Sequence, residues 1–198
     1  MRSAKILGPN IANPPYIFRQ RNNSQLAVLL VEQKPQVKSI AWGVSGKLRK
    51  IYLAFPYIVS IFSFFEGKFN NFLLFYRSAP LSRSADILCY PNLPNVHPTG
   101  VVCLGNSNGL IALRKRMTRD PLVWQVRKIL TYFWSESVFN SDLIEQHFLP
   151  WTRICPQLAS LETWQRNTRC DPNFILEVNW SQRSAGSASE LMELAPFI

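Results

Sequence analysis

Leu26 to Val31 is an unbroken apolar run, Val37 to Val44 is a second, mainly apolar stretch that includes Lys38 and Ser39, and Lys34-Pro35 lies between them. Runs of this length bounded by turn-forming residues predict strands. Ser45 to Lys50 reads as the next turn. Ile51 to Phe65 is apolar almost throughout, is interrupted by Pro56, and leads through Glu66-Gly67-Lys68 into the run Phe72 to Tyr76. The first of these falls about five residues short of the roughly 20 that cross a bilayer, so two buried strands joined by a hairpin fit it better than a membrane span. Four consecutive strands then make an antiparallel meander. Residues 78–95 follow as an ordered loop containing Pro80, Pro91 and Pro94. Asp120-Pro121 supplies an N-cap with proline at the first helical position, and Val123, Val126, Leu130 and Phe133 share a face, predicting a helix over about 121–137. Further short helices are expected over Ser141 to Phe148 and over Leu158 to Asn167, the latter anchored by Trp164. Phe174 to Trp180 alternates like a strand, and the Ser- and Ala-rich stretch from Ser181 reads as a flexible tail, with a short helix over Glu190 to Leu194. The fold class is α+β: 1–24 as an extended basic arm, 25–180 as one domain, 181–198 as the tail.

Composition supports one domain. The 198 residues are 47% hydrophobic and 17% charged, enough apolar content for a large core and too little chain for two comfortable ones. Trp124, Trp134, Trp151 and Trp164 are expected as core anchors. The net charge of +10 is uneven: residues 1–50 hold nine Lys or Arg against Glu32 alone, whereas 51–198 hold thirteen Lys or Arg and eleven Asp or Glu. A basic end attracts acidic proteins, nucleic acid or anionic surfaces, and charge alone does not choose among them. Arg114-Lys115-Arg116 with Arg119 reads as a solvated basic loop ahead of the helix. The four cysteines at 89, 103, 155 and 170 have no Cys-x-x-Cys spacing, so no zinc site is expected. With no apolar signal core in residues 1–16, reduced thiols and a cytoplasmic location are expected. Cys89, Cys155 and Cys170 are assigned to packing.

The chemistry concentrates in Leu93-Pro94-Asn95-Val96-His97-Pro98-Thr99-Gly100-Val101-Val102-Cys103-Leu104. The prolines and Gly100 bend the backbone, and Val101-Val102 begin an extended apolar stretch, so Cys103 is delivered from a constrained loop. A thiol is a strong nucleophile even when only a few per cent is thiolate, and a side-chain amide such as that of Asn95 can stabilise an acyl-transfer oxyanion. Asparagine also closes turns through its own side chain, so a structural role for Asn95 stands beside the catalytic one. His97 is a candidate base if its ring points inward, although a lone loop histidine is more often solvent-exposed.

Pro94, Asn95, Gly100, Cys103 and Leu104 fall in the register of the reaction centre of the ubiquitin-conjugating enzymes, and the segment resembles that family. The resemblance is nearest to its bacterial branch, prokaryotic ubiquitin-conjugating family D, which includes the B proteins of PRTRC plasmid systems. Phe55-Pro56-Tyr57 and Trp134-Ser135-Glu136-Ser137-Val138-Phe139-Asn140 extend the likeness to roughly residues 50–142. Leu93 stands where the family's pattern has histidine. The resemblance implies a UBC-like fold, a four-stranded antiparallel meander sheet packed by helices, with the active-site loop between the sheet and the following helix. It implies that Cys103 carries a ubiquitin-like protein as a thioester and passes it to an amine, with Asn95 assisting. The implied partners are a ubiquitin-like protein, a ThiF-type activating enzyme and a JAB-type deconjugating peptidase. No metal or cofactor is needed, since adenylation falls to the partner and no Gly-rich phosphate loop is present here. The rival readings are an inactive docking module of the same fold and a basic nucleic-acid-binding protein acting through residues 1–24.

Overall fold

The computed structural model describes residues 16–22, 25–44, 47–105, 107–117, 120–140 and 155–198. The helix expected over 141–148, Trp151 and the first part of the basic arm lie outside the described residues. The protein is a mixed α+β structure. Strands β1 (Tyr16–Asn22), β2 (Leu26–Gln33), β5 (Tyr57–Phe65), β6 (Lys68–Arg77), β7 (Ile87–Cys89) and β9 (Ser184–Ser187) form a six-stranded antiparallel sheet in the order β1-β2-β5-β6-β7-β9. Strands β3 (Gln36–Val44), β4 (Lys47–Phe55) and β8 (Val138–Asn140) form a smaller sheet ordered β4-β3-β8, with β8 parallel to β3.

The consecutive meander expected from the sequence is therefore not the pairing observed. β2 skips its successor and pairs with β5, from Leu26 opposite Phe65 to Gln33 opposite Ile58. The reason lies in Pro56, which has no N–H to give a ladder and divides the long apolar run into β4 and β5. The strands on either side differ in pattern. β2, β5 and β6 are buried on both faces: Leu29, Val31, Ile58, Phe62, Phe72 and Leu74 face the main core, while Val28, Leu30, Val59, Ile61, Leu73 and Phe75 face a second core. The β3–β4 hairpin alternates instead, with Ile40, Trp42, Ile51 and Leu53 inward and Val37, Leu48 and Tyr52 exposed. Two-sided burial produces continuous apolar runs and one-sided burial produces alternation.

Phe55 joins the two sheets. Its ring meets Tyr76, Trp134 and Trp164 edge-on, at centroid distances of 6.2, 5.2 and 5.3 Å. Helix α1 (Ser107–Met117) precedes α2 (Leu122–Thr131), which runs on into a π-helical turn, Tyr132–Glu136. The helix expected over about 121–137 is thus present, although Asp120 does not cap it; its carboxylate accepts from Lys128 at 2.6 Å. α1 occupies the segment read as a basic loop, where Ser107-Asn108-Gly109 mimics a turn signal. Its cations Arg114, Lys115 and Arg116 sit in the last turn, where the helix dipole favours them. Helix α3 (Leu161–Cys170) begins at the Ser160 cap and buries Trp164 completely. It seals the edge of β4: Thr168 Oγ1 accepts from the Ala54 amide and Trp164 Nε1 donates to the Ala54 carbonyl, both at 2.9 Å. Phe174 to Trp180 forms a helical turn, α4 (Phe174–Glu177), rather than a strand, and Ile175, Val178 and Trp180 point into the core from it. Trp124 is 54% exposed and Cys170 is exposed, so neither is a packing anchor.

Residues 181–198 are not a tail. β9 pairs with β7, and α5 (Ala188–Leu194), opened by a Ser187/Glu190 capping box, lays Ala188, Leu191 and Met192 over the second core. The short helix expected over Glu190 to Leu194 is present within α5; the packing of the segment was not expected because β9 is Ser-Ala-Gly-Ser, four residues with no hydrophobic signature. Among the described residues no helix is long and apolar enough to cross a membrane. Because α5 covers one face of the main sheet, Leu191→Ala is expected to cost about 2–4 kcal/mol in urea unfolding, as for other buried leucines. A change below about 0.5 kcal/mol, the value for a surface position, would mean that the segment is not packed.

Candidate active site

The chain approaches the site through residues 78–95. Asp86 organises the start of this segment. Burial would raise its pKa, but amide bonds from Ser82 and Arg83 and the Arg77 guanidinium at 2.8 Å outweigh that and hold it well below the usual carboxylate range. Pro91, Asn92, Leu93 and Pro94 then run buried under the site, and Leu93 is fully enclosed in the main core. Where the resemblance would place a histidine, this chain anchors the turn with an apolar side chain. Asn92, not singled out from the sequence, is also fully buried, and neither atom of its amide has a partner among the described residues.

From Asn95 to Cys103 the backbone folds into a tight hairpin. Val96 and Val102 are bridge partners, flanked by bonds from the Cys103 amide to the Asn95 carbonyl and from the His97 amide to the Val101 carbonyl, both 2.7 Å. The tip is a β-turn closed by Gly100 N–H to His97 O at 2.8 Å, with Pro98 and Gly100 in their favoured turn positions. Gly100 has φ +88°, and a Cβ there would lie 2.7 Å from two ring atoms of Phe75, so only glycine fits without rearrangement.

Two sets of bonds fix this hairpin. On one side it extends the main sheet: Val101 pairs with Leu73, the Leu74 amide donates to Gly100 O, and the Val102 amide donates to Phe72 O, both at 2.9 Å. On the other, Asn95 adopts φ +67° and its Nδ2 donates to the Val138 carbonyl of β8 at 2.9 Å. β8 itself comes close to β3 because residue 43 is glycine; a Cβ there would meet Val138 Cγ1 at 2.9 Å. The hairpin is thus bonded to both sheets.

Cys103 is exposed, between buried Val102 and Leu104. The sequence placed Asn95 and Cys103 together, and the structure does bring them opposite each other across the hairpin. Their backbones are joined by the bond from the Cys103 amide to the Asn95 carbonyl. The Asn95 amide, however, is engaged with Val138. His97 is exposed and its Nδ1 lies 2.9 Å from Thr99 Oγ1, so the ring closes its own turn. The other thiols differ: Cys89 and Cys155 are buried, and burial pushes Cys89 up to about 11, which suppresses its thiolate. Among the described residues no group of three or more His, Cys, Asp or Glu is placed to hold a metal ion.

The arrangement offers an accessible sulfur on a hairpin backbone-bonded to Asn95, whose side-chain amide is held by Val138. Compared with known proteins, the chain matches no family model, no curated protein and no solved structure.

Asn95→Ala removes the bond to Val138 and places a Cβ-bearing residue without side-chain hydrogen bonding at a left-handed φ. Its expected cost is about 1–3 kcal/mol. Asn95→Gly keeps the backbone conformation and should recover part of that loss. Chemical denaturation of both variants checks this, and equal stability of Asn95→Ala and wild type would remove the anchoring role.

Proposed function

We propose that this protein is a ubiquitin-conjugating-like enzyme, a divergent member of the UBC-like fold, in which Cys103 carries a ubiquitin-like protein as a thioester. The observation that carries the reading is the exposed Cys103 thiol set opposite Asn95 on a hairpin bonded to both sheets. The first step is a thioester exchange. Cys103 Sγ attacks the C-terminal carbonyl carbon of the modifier, which a ThiF-type activating enzyme holds on its own cysteine. The new S–C bond forms, the old one breaks, and the Cys103 proton is passed to the departing thiolate. In the second step an amine attacks the same carbonyl, an amide forms, and the Cys103 thiol is released. Positioning is the main contribution of the hairpin, since a fixed attacking atom avoids an entropic cost at the transition state. The second Nδ2 hydrogen of Asn95 is the candidate oxyanion donor. A JAB-type peptidase would reverse the conjugation.

A second reading keeps the fold and drops the chemistry. Engagement of the Asn95 amide with Val138 favours a docking module for the ubiquitin-like protein, in which Asn95 is a structural residue.

The two readings separate on a non-reducing gel. The protein is mixed with a ThiF-type activating enzyme, its ubiquitin-like protein and ATP, using wild type, Cys103→Ala and Cys103→Ser. The enzyme reading expects a thiol-sensitive adduct in wild type, none in Cys103→Ala, and a thiol-resistant ester in Cys103→Ser. Absence of any adduct while the activating enzyme is itself charged would overturn it in favour of docking.

A further inference from the structure

The smaller sheet ends in β4, whose outer edge pairs with no other strand among the described residues. Ala54 shows which backbone groups lie on that edge. Its amide and its carbonyl are both taken by α3, through Thr168 and Trp164, so both point away from β3. In an antiparallel pair, successive residues turn their backbone groups alternately toward the partner and away from it. Tyr52, Lys50 and Leu48 therefore present their N–H and C=O groups outward as Ala54 does, while Leu53 and Ile51 turn theirs toward Lys38 and Ile40. Beyond Ala54 these outward groups meet no protein partner among the described residues.

The side chains along the same edge alternate between the two faces of the hairpin. Lys47 and Arg49 lie on the face shared with Trp42, and Leu48, Lys50 and Tyr52 lie on the other. All five are exposed, Leu48 and Tyr52 by 67% and 50%. The Lys50 ammonium is 5.9 Å from the Tyr52 ring centroid. Among the described residues the carboxylate paired with these cations is that of Glu162, 3.5 Å from Arg49, and both side chains of that pair are more than half exposed, so water screens it. A strand laid along this edge meets positive charge on both of its faces.

We propose that the free edge of β4 takes up an extended acidic segment of another protein as an added strand. The backbone of that segment completes the hydrogen bonds left open at Leu48, Lys50 and Tyr52, which is how extended peptides gain affinity at sheet edges. Carboxylates on one of its faces meet Lys47 and Arg49, and apolar side chains on the other cover Leu48 and Tyr52. Charge selects this occupant. A second copy of the chain, adding through its own β4, would set Lys47, Arg49 and Lys50 against the same cations, and like charges opposed across a ladder are destabilising. Nucleic acid answers the charge but has no row of amide donors and carbonyl acceptors to match the edge. The inference does not rest on thioester chemistry, so Cys103→Ser takes up the segment as wild type does.

The test is amide hydrogen exchange read by NMR, with the end-blocked peptide Glu-Val-Glu-Val-Glu-Val as probe. In the protein alone the amides of Leu48, Lys50 and Tyr52 should exchange fast while those of Ile51 and Leu53 are protected. Saturating peptide should slow the three edge amides by about tenfold or more. The fully N-methylated peptide, which keeps the carboxylates and has no donors, should fail to protect them, as should Lys-Val-Lys-Val-Lys-Val. The double variant Lys47→Glu/Lys50→Glu, its fold checked by unchanged protection of the β5 and β6 amides, should bind the acidic peptide about tenfold more weakly or worse. The proposal is overturned if the acidic peptide leaves the edge amides unprotected, or if the N-methylated peptide, the basic peptide or the double variant binds equally well. Protection of Leu48, Lys50 and Tyr52 in the protein alone would also overturn it, since another segment or a second copy would then cover the edge.

Discussion

The loss of one backbone donor at Pro56 shapes the whole molecule. Pro56 stands between β4 and β5, where the run Ile51 to Phe65 divides. With it, the chain leaves one sheet at Phe55 and enters another at Tyr57, which returns β5 to pair with β2 and leaves the β3–β4 hairpin to fold across the main sheet. Phe55 then lies at the junction, where its ring meets Tyr76 of the main sheet, Trp134 of the π-helical turn and Trp164 of α3. Edge-on aromatic contacts of this kind contribute beyond their burial, and they fix the orientation of the elements they join.

The candidate site inherits its rigidity from this arrangement. β8 is added to the smaller sheet, so its Val138 carbonyl is available to Asn95, and the half of β6 that β7 leaves unpaired is available to Val101 and Val102. A loop held by one of these sets would pivot about it. A loop held by both presents Cys103 from a fixed backbone. Leu93, buried beneath, provides the apolar anchor for the turn. Exposure of a sulfur and rigidity of its support usually conflict, because exposed loops are mobile; here the hairpin bonds on both flanks reconcile them.

Much of this was legible in the sequence, and the limits have physical causes. The β5–β6 hairpin at Glu66-Gly67, the helix after Pro121 and the burial of Trp164 follow from local patterns that tertiary contacts reinforce. The facing of Asn95 and Cys103 was readable because the turn between them is encoded locally by Pro98 and Gly100. The division into two sheets was not read, since strand partners are chosen by long-range burial on two faces rather than by chain order. The alternation in β3 against the continuous runs of β2 and β5 carried that signal. The helix over Glu190 to Leu194 was legible and is part of α5, but β9 and the docking of both elements were missed, because a four-residue strand and a short helix depend on β7 and the second core for their stability. Trp124 shows the limit of residue type as a guide: its ring lies on the outer face of α2, against Arg127 at 4.8 Å.

The central claim is that the hairpin bearing Cys103 belongs to the cooperative core and is not a surface loop. Native-state hydrogen exchange tests it most directly, through the amides of Val102 and Cys103, which donate to Phe72 O and Asn95 O. The account predicts that both exchange only through the same opening that releases the β5 and β6 amides, with the same dependence on denaturant. Exchange of these two amides at free-loop rates while β5 and β6 stay protected would contradict it.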